Sequence, residues 1–398
     1  MNAYIVDGVR TPRGIASKKG SLKDVESIQL LKQLMVAMQD RHNNLVETAT
    51  ECILGCVTQT GEQGGNIAKT AALYSGLQNS LCGSTVNRYC VSGLTSIIYG
   101  AMGIMSKTHK VVLGGGVESR SRIPMFSDNG PWYSSPEVMK ETKFVNMGIS
   151  ADLLATREGF TKTELDNFSH ESHLKAAHAT EKGYFRGGII PIKDKNGNTL
   201  LEIDEGISPE KEGIFSASPS FEKLGELFST IALKQYPEVK RIAHTHTKRS
   251  AARMVDGASL TILASEEAIR EQNLNAKAEI LAFAETSAEP VQMLTAGVTA
   301  ASVVLKKSGL KPKDIDLYEV NEGFAAVPLH FSKHMGVPTE RINVNGGAIA
   351  MGHPLGATGS ILLNSLVDEL GRRNKQYGMV SICGGAGAGA AILVKSTL

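Results

Sequence analysis

Two cysteines and one histidine of this 398-residue chain lie in predicted turns, where a side chain can be aimed at a ligand. Cys90 lies in residues 85–94, which are predicted to form a turn entering a helix. His353 lies in residues 343–360, which repeat that design, and Cys383 opens a further glycine turn. A thiol nucleophile, a base and a second proton carrier are the groups that suit carbon–carbon bond chemistry on thioesters.

The position of Cys90 before a predicted helix favours a reactive thiol. An ordinary thiol has a pKa of about 8.5, and a helix N-terminus together with a nearby histidine can lower that pKa enough to leave a thiolate at neutral pH. We therefore expect a thiolate at Cys90. The alternative is a small buried apolar side chain, which is what most free cysteines are.

The turns around His353 and Cys383 are interpreted in the same way. His353 follows glycines and precedes Pro354, so its ring is predicted to be held at a tight turn; the alternative is a capping or core histidine. Cys383 enters residues 384–389, where missing side chains allow a ligand to approach the backbone. This turn is not a dinucleotide-binding motif, because residues 390–394 are predicted as a strand rather than a helix. A packing cysteine is the alternative here.

The composition is that of an ordinary globular protein, with 42% hydrophobic residues, 21% charged residues and a formal net charge of +2. Lysines and arginines are scattered, so nucleic-acid binding is not predicted. The first ten residues lack the apolar run of a signal peptide, and no apolar run reaches the about 18 residues of a membrane span. Five irregularly spaced cysteines favour a reducing compartment. We expect a soluble, cytoplasmic protein without membrane contact.

Short β-branched runs alternate with amphipathic helical patterns, which is typical of βαβ units. In the first part of the chain, strands are predicted at residues 4–6, 52–57 and 110–113, and helices at 27–39, 67–75 and 91–105. In the last third, strands at 314–319 and 379–383 and helices at 323–335 and 357–370 repeat this rhythm. The repetition predicts an internal duplication.

Between about residues 120 and 249 the pattern loosens into segments interrupted by proline and glycine, which indicates an inserted region. Residues 255–264 then return as a turn and strand that should rejoin the first sheet. The predicted division is a first core domain at residues 1–119 plus 250–275, an inserted loop domain at 120–249, and a second core domain at 276–398.

Five local motifs occur in the order and spacing of thiolases, and the chain resembles this family from its first strand to its last. The motifs are the Cys90 segment, residues 114–119, residues 321–325, residues 346–359 around His353, and residues 383–385. The resemblance implies an α/β thiolase fold, with two duplicated mixed-sheet core domains in an αβαβα layering and an inserted loop domain. It also implies a homodimer or homotetramer.

The same resemblance implies a role for each candidate catalytic residue. Cys90 would carry the acyl group, His353 would activate it and donate to the thioester oxygen, and Cys383 would move the proton on the α-carbon. Asn321 would position a water that joins His353 in one oxyanion hole, and the N–H groups of Cys90 and Gly385 would form a second. Glu322, next to Asn321, is interpreted either as a participant or as a buried structural carboxylate.

Coenzyme A is expected as a substrate, and no resident cofactor or metal is expected. The resemblance implies CoA contacts at Met147, Ser250, Ala252 and Phe324. One departure from the family pattern puts these contacts in question, because the asparagine and serine that usually precede Asp-Gly-Ala are displaced in residues 247–258. His244 and His246 alternate as a metal-binding pair would, but no further ligand lies nearby in sequence, so a metal site is not predicted there.

Three functions remain open from the sequence. The first is a thiolase that cleaves a 3-ketoacyl-CoA with CoA, or runs the reverse Claisen condensation. The second is a condensing enzyme of the ketoacyl-synthase type, which is disfavoured because Cys383 occupies the place of a partner histidine. The third is a thiolase-like acyl-CoA or lipid-binding protein without turnover. Acyl-chain length and the physiological direction are not predicted.

Overall fold

Ten strands form one continuous mixed sheet in the computed structural model of the protein, which describes residues 2–397. Two further short strands, β6 and β7, pair separately. In chain order the strands are β1 Ala3–Arg10, β2 Gly14–Ile15, β3 Glu51–Gly55, β4 Cys82–Val86, β5 Val111–Ser119, β6 Ile192–Lys193, β7 Thr199–Leu201, β8 Val255–Ser265, β9 Ala278–Ser287, β10 Leu317–Val320, β11 Tyr377–Cys383 and β12 Ala388–Ser396.

Helices cover both faces of this sheet and build most of the inserted region. Within residues 2–397, no helix is both long enough and apolar enough to cross a membrane. In chain order they are α1 Ser27–Glu47, α2 Ile67–Tyr74, α3 Ser92–Met105, α4 Pro131–Ser134, α5 Pro136–Glu141, α6 Met147–Glu158, α7 Lys162–Glu181, α8 Lys211–Phe215, α9 Glu222–Gln235, α10 Glu266–Glu271, α11 Ala296–Ser308, α12 Ala326–Met335, α13 Ala348–Met351 and α14 Leu355–Arg373.

The two halves of the sheet follow the same pairing rule. In the first half β5 pairs in parallel with β3 and antiparallel with β8, and in the second half β11 pairs in parallel with β10 and antiparallel with β12. The predicted duplication explains this agreement. The two predicted sheets are joined at their edges, because residues 3–5 of β1 pair antiparallel with residues 278–280 of β9.

The buried apolar clusters show which helices lie between the two halves of the sheet and which cover its outer faces. Helices α3 and α14 share one buried cluster with both halves of the sheet, and they therefore form the central helical layer. Helices α1 and α2 cover the outer face of the first half, while α11 and α12 cover the outer face of the second. Helix α3 is apolar nearly all round, as a helix between two sheets must be. The predicted αβαβα layering is confirmed.

Several predicted elements differ from the structure in length. Helix α1 continues beyond the predicted end at residue 39 because Leu45 and Val46 are buried, although its backbone breaks at His42. Strand β5 runs through three glycines, which pair in register with β8 and so stay in the sheet without side chains. The strands β4 and β9 were not predicted. Both lack a continuous apolar run, since β4 is half-exposed and buried residues alternate with more exposed ones along β9.

The inserted region contains α4 to α9 and the β6–β7 hairpin. It has a small apolar cluster of its own, to which α6 contributes Ile149 and Leu153 and α9 contributes Ala232. Helix α7 begins with a capping box, in which Thr161 and Glu164 satisfy each other's backbone N–H groups. The exact domain boundaries stay a prediction.

Helices α3 and α14 meet through their backbones at their N-terminal ends. A Cβ added to Gly93 would lie 2.7 Å from the carbonyl oxygen of Gly356, and one added to Gly116 of β5 would lie 2.1 Å from the same oxygen. A Cβ on Gly356 itself would lie 2.8 Å from Cys56 Cα. Only glycine permits an approach this close.

We expect Gly116→Ala to lower the free energy of unfolding by about 3 kcal/mol or more, because the added methyl group meets rigid backbone. The control is Gly213→Ala in α8, where a Cβ has nothing within 4 Å and should be neutral or slightly stabilising. Thermal unfolding of both variants measures the difference. Equal melting temperatures for the two variants would contradict a backbone contact at Gly116.

Candidate active site

A strained turn positions Cys90 between β4 and α3. Tyr89 has a φ of 51°, a left-handed conformation that costs a bulky residue about 1–3 kcal/mol. The turn is held because the Tyr89 N–H donates to Asn87 Oδ1 at 2.9 Å and the Ser92 hydroxyl donates to the Tyr89 carbonyl at 2.5 Å. The result is a sharp corner that points Cys90 away from the strand direction, at the start of a helix.

A second turn positions His353 before α14. Gly352 has a φ of 101°, and its carbonyl oxygen accepts from Arg13 Nη1 at 3.0 Å. The His353 backbone N–H donates to the Arg253 carbonyl at 2.9 Å. The ring atom Nδ1 lies 2.7 Å from the Thr358 hydroxyl oxygen. When the hydroxyl accepts from Nδ1–H, Nε2 is the free ring nitrogen, and it can take up a proton and later donate it.

The two turns converge on the same place. Cys90 lies three residues before Gly93, and His353 lies three residues before Gly356. Since these two glycines form the contact between α3 and α14, the turns before them are brought to one end of the central helical layer. Both side chains are buried, with 8% of Cys90 and 4% of His353 exposed.

Cys383, the last residue of β11, and Gly385 lie near the same end of the central helical layer as Cys90. Gly384 lies against the Cys90 turn, since a Cβ added there would be 3.2 Å from the Cys90 nitrogen. The Gly385 backbone N–H lies close enough to the Cys90 thiol to oppose the rise in its pKa. Cys90 is also close enough to Cys383 for a charge on its sulfur to raise the pKa of the Cys383 thiol. Four of the five predicted catalytic residues are thus linked by turns of the two duplicated halves.

The expected thiolate at Cys90 is wrong for this structure. Burial, and secondly the charge of Glu118, raise the pKa of the Cys90 thiol to about 12, although the Gly385 N–H acts in the opposite direction. Burial likewise raises the pKa of Cys383 to about 12. Burial and the charge of Arg13 lower the pKa of His353 to about 3. The resting pair is therefore a neutral thiol and a neutral imidazole.

Asn321, the fifth predicted catalytic residue, follows β10. Its Oδ1 is buried and has no hydrogen-bond partner within residues 2–397, which fits the predicted role of holding a water. Glu322 is also buried, but its carboxylate accepts from the Ser172 hydroxyl, the Asn343 amide and the Ile349 N–H. These bonds favour the interpretation of Glu322 as a structural carboxylate that fastens the His353 loop to the Asn321 turn.

Three of the four predicted CoA contacts, Ser250, Ala252 and Phe324, lie on two paired segments. The Ala325 N–H donates to the Ser250 carbonyl at 2.9 Å, and the Ala252 N–H donates to the Gly323 carbonyl at 3.0 Å. Phe324 lies between these bonds, and it packs in the same apolar cluster as the half-buried Met147. Ser250 is fully buried, and its hydroxyl accepts from a backbone N–H of its own turn.

Three supporting residues were missed by the sequence analysis. The Glu118 carboxylate accepts the Gly356 N–H at 3.1 Å and so caps the start of α14. The sequence feature that could have identified Glu118 is its place at the end of a buried, glycine-rich strand.

The sequence has no feature that identifies Thr358, whose hydroxyl contacts His353. Asp152 is the missing partner of the histidine pair, because its carboxylate accepts from His244 Nδ1 at 2.8 Å and lies 2.9 Å from His246 Nδ1.

Comparison with known proteins agrees with this geometry. The family model described as thiolase, N-terminal domain matches residues 3–231, and that described as thiolase, C-terminal domain matches residues 274–396. The chain belongs to the thiolase family. Membership in this thiolase family makes it an acyltransferase enzyme.

Individual thiolases match over almost the whole chain. The 3-ketoacyl-CoA thiolase of Bacillus subtilis is 35% identical over 393 residues, covering 98% of both chains. A crystal structure of human mitochondrial 3-ketoacyl-CoA thiolase in complex with CoA superposes with a TM-score of 0.85 at 31% identity, covering 100% of this chain and 98% of the other. The acetyl-CoA acetyltransferase of Bacillus anthracis gives a TM-score of 0.86 at 29% identity, covering 99% and 98%.

We expect alkylation of Cys90 by iodoacetamide to rise about tenfold per pH unit, hence about a hundredfold from pH 7 to pH 9, because only the thiolate reacts and its pKa is raised. Mass spectrometry on Cys82→Ser protein, which lacks the exposed thiol, measures the rate at the buried site. A plateau below pH 8 would instead indicate a thiolate already present in the resting enzyme.

Proposed function

We propose that this thiolase cleaves a 3-ketoacyl-CoA with a second CoA to give acetyl-CoA and a shortened acyl-CoA, and that the same residues run the reverse Claisen condensation. The observation that supports this most directly is the convergence of Cys90, His353, Cys383 and Gly385 at one end of the central helical layer. These residues supply a nucleophile, a base, an acid and an oxyanion donor within one buried site.

In the first half of the reaction the Cys90 thiol passes its proton to His353 as its sulfur attacks the keto carbon. A neutral imidazole accepts this proton, which agrees with the lowered pKa of His353. The bond between the α-carbon and the keto carbon then breaks. The keto carbon stays on Cys90 as a thioester, and Cys383 protonates the departing acetyl-CoA carbanion.

In the second half Cys383, which the first half leaves as a thiolate, takes the proton of the incoming CoA thiol as the CoA sulfur attacks the acyl-Cys90 thioester. The bond between the acyl carbon and the Cys90 sulfur breaks, Cys90 regains its proton from His353, and the shortened acyl-CoA leaves. The N–H groups of Cys90 and Gly385 stabilise the oxyanion of one step, and His353 with a water held by Asn321 stabilises that of the other. Preorganised donors of this kind contribute about 3–4 kcal/mol each to transition-state stabilisation. The thioester acidifies its own α-carbon, so the proposed reaction uses CoA as substrate and no resident cofactor.

The residues that contact CoA, the oligomeric state and the cellular location stay predictions. The inferred CoA contacts Ala252 and Phe324 lie beside the Asn321 turn, and Met147 packs in the same apolar cluster as Phe324. The buried Ser250 would contribute through its turn rather than through its hydroxyl. A homodimer or homotetramer and a cytoplasmic location are proposed with the function. No binding to nucleic acid or membrane is proposed.

We expect Cys90→Ala to abolish the cleavage of acetoacetyl-CoA by CoA, because the acyl group then has no sulfur to bind. Loss of absorbance from the acetoacetyl-CoA enolate measures turnover, and mass spectrometry after incubation with acetyl-CoA locates the acyl group. The matched control is Cys56→Ala, another buried cysteine of the same half. Absence of turnover in the parental protein would favour an acyl-CoA-binding protein instead, and acetyl mass on another cysteine would reassign the nucleophile.

We expect Cys383→Ala to separate the two half-reactions. If Cys383 only moves the α-carbon proton, the variant still transfers acetyl from acetyl-CoA to Cys90, but it no longer forms or cleaves the carbon–carbon bond. Intact-mass measurement follows the acetyl transfer, and deuterium exchange at the acetyl methyl group follows the proton. Deuterium exchange at the parental rate would show that Cys383 is structural and that another group is the base.

A further inference from the structure

Three possible metal ligands meet on the outer side of the second half, away from Cys90. Glu158 is the last residue of α6, and His330 and His334 lie one turn apart on α12. Glu158 Oε1 lies 2.9 Å from His330 Nδ1 and 2.8 Å from His334 Nε2. The sequence signal was the spacing of the histidines, because residues i and i+4 of a helix lie on one face.

The arrangement matches a zinc site in ligand type and in spacing. The three ligand atoms lie within 4.8 Å of one another. Two ligands of a tetrahedral zinc ion with bonds of about 2.0–2.1 Å are about 3.3 Å apart, so small side-chain shifts bring all three atoms to bonding distance. Two imidazoles and one carboxylate form a ligand set that suits zinc and leaves a fourth position for water.

The helices that carry the ligands are held independently of any ion. Ala151, Leu154 and Ala155 of α6 share an apolar cluster with Ala326, Val327 and Phe331 of α12. The ligand atoms are therefore presented by packed helices rather than by a loop, which is the arrangement that holds a metal site precisely. His334 is 45% exposed and Glu158 13%, so an ion reaches the site from solvent.

Lys333 is the competing cation at this site. Its Nζ lies 2.8 Å from Glu158 Oε2, whereas both histidines face Oε1. The carboxylate thus has one oxygen occupied by an ammonium group and the other directed at the two imidazoles. A metal ion on Oε1 displaces only the imidazole N–H donors and leaves the lysine in place.

We propose that Glu158, His330 and His334 bind one divalent transition-metal ion, with zinc preferred and water in the fourth position, at a site that joins the C-terminal end of α6 to α12. Helix α6 begins at Met147, and α12 follows Phe324, so the ion fixes the far ends of the two helices that lead to the proposed CoA contacts. The ion takes no part in acyl transfer. Each neutral imidazole would bind through the nitrogen that faces Glu158 and carry its one proton on the other ring nitrogen.

The test uses the full-length protein freed of metal with a chelator. Zinc binding is measured by calorimetry, the thermal unfolding midpoint is measured with and without zinc, and the visible absorption of a cobalt complex reports the ligand type. We expect one zinc ion per chain and a rise in the unfolding midpoint of about 3–5 °C when zinc is a hundredfold above its dissociation constant.

Variants separate this site from other zinc ligands and from a simple ion-pair cluster. His334→Ala and His330→Ala should each lose the zinc response, while His178→Ala, an exposed histidine on α7, and Cys82→Ser, an exposed thiol, should keep it. Lys333→Ala should bind zinc as tightly as the parental protein or more tightly, because it removes the competing cation. His334 is largely exposed, so its variant should fold even if the His330 variant does not.

The proposal is overturned if the metal-free parental protein shows no heat of zinc binding, or if His334→Ala keeps the parental response. It is also overturned if Lys333→Ala loses that response as completely as His334→Ala does, since the cluster would then be an ion-pair network only. None of these results bears on acetoacetyl-CoA turnover, which tests the proposed function separately.

Discussion

The structure depends on a contact between the starts of α3 and α14 in which glycine backbones touch directly, with no side chain between them. Gly93 and Gly116 approach the carbonyl oxygen of Gly356 so closely that a Cβ on either would overlap it. This contact places the turns that carry Cys90 and His353 side by side. It also lets the two half-sheets share one central helical layer, with apolar side chains of both halves in a single cluster. A duplicated fold can therefore build the proposed active site from two copies of the same turn.

The burial of that contact also determines the protonation states of Cys90 and His353, the proposed catalytic residues, before substrate binds. A thiol and an imidazole that are removed from water both favour their neutral forms, and this effect outweighs the helix N-terminus next to Cys90. Glu118 caps the start of α14 and adds a negative charge that opposes a thiolate. In the proposed mechanism, charge on the sulfur develops only while a proton moves to His353 and the Gly385 N–H faces the sulfur. The site is arranged for charge that develops during the reaction rather than for charge stored beforehand.

The departure of residues 247–258 from the usual thiolase pattern leaves the backbone of the site in place. Ala251 bridges to Phe324, and Met254 bridges to His353, through main-chain atoms alone. Backbone hydrogen bonds do not depend on which side chain a residue carries, so the segment still holds the Asn321 turn and the His353 turn together. Behind it, Asp152 holds two histidines that the sequence shows only as an alternating pair. The changed side chains therefore bear on the proposed CoA contacts more than on the turns that carry Cys90 and His353.

The sequence by itself determined the alternation of strands and helices, the duplication, and the turns around Cys90, His353 and Cys383, because periodicity and the placement of turn residues are local properties. It did not determine β4 or β9, whose residues are patterned by neighbours in the sheet rather than by one apolar face. The protonation state of Cys90, the capping by Glu118 and the meeting of Glu158 with two histidines were decided by tertiary structure alone. Each of these depends on how deeply a group is buried or on contacts between residues far apart in the chain. Short-range patterns of residue types encode neither of these properties.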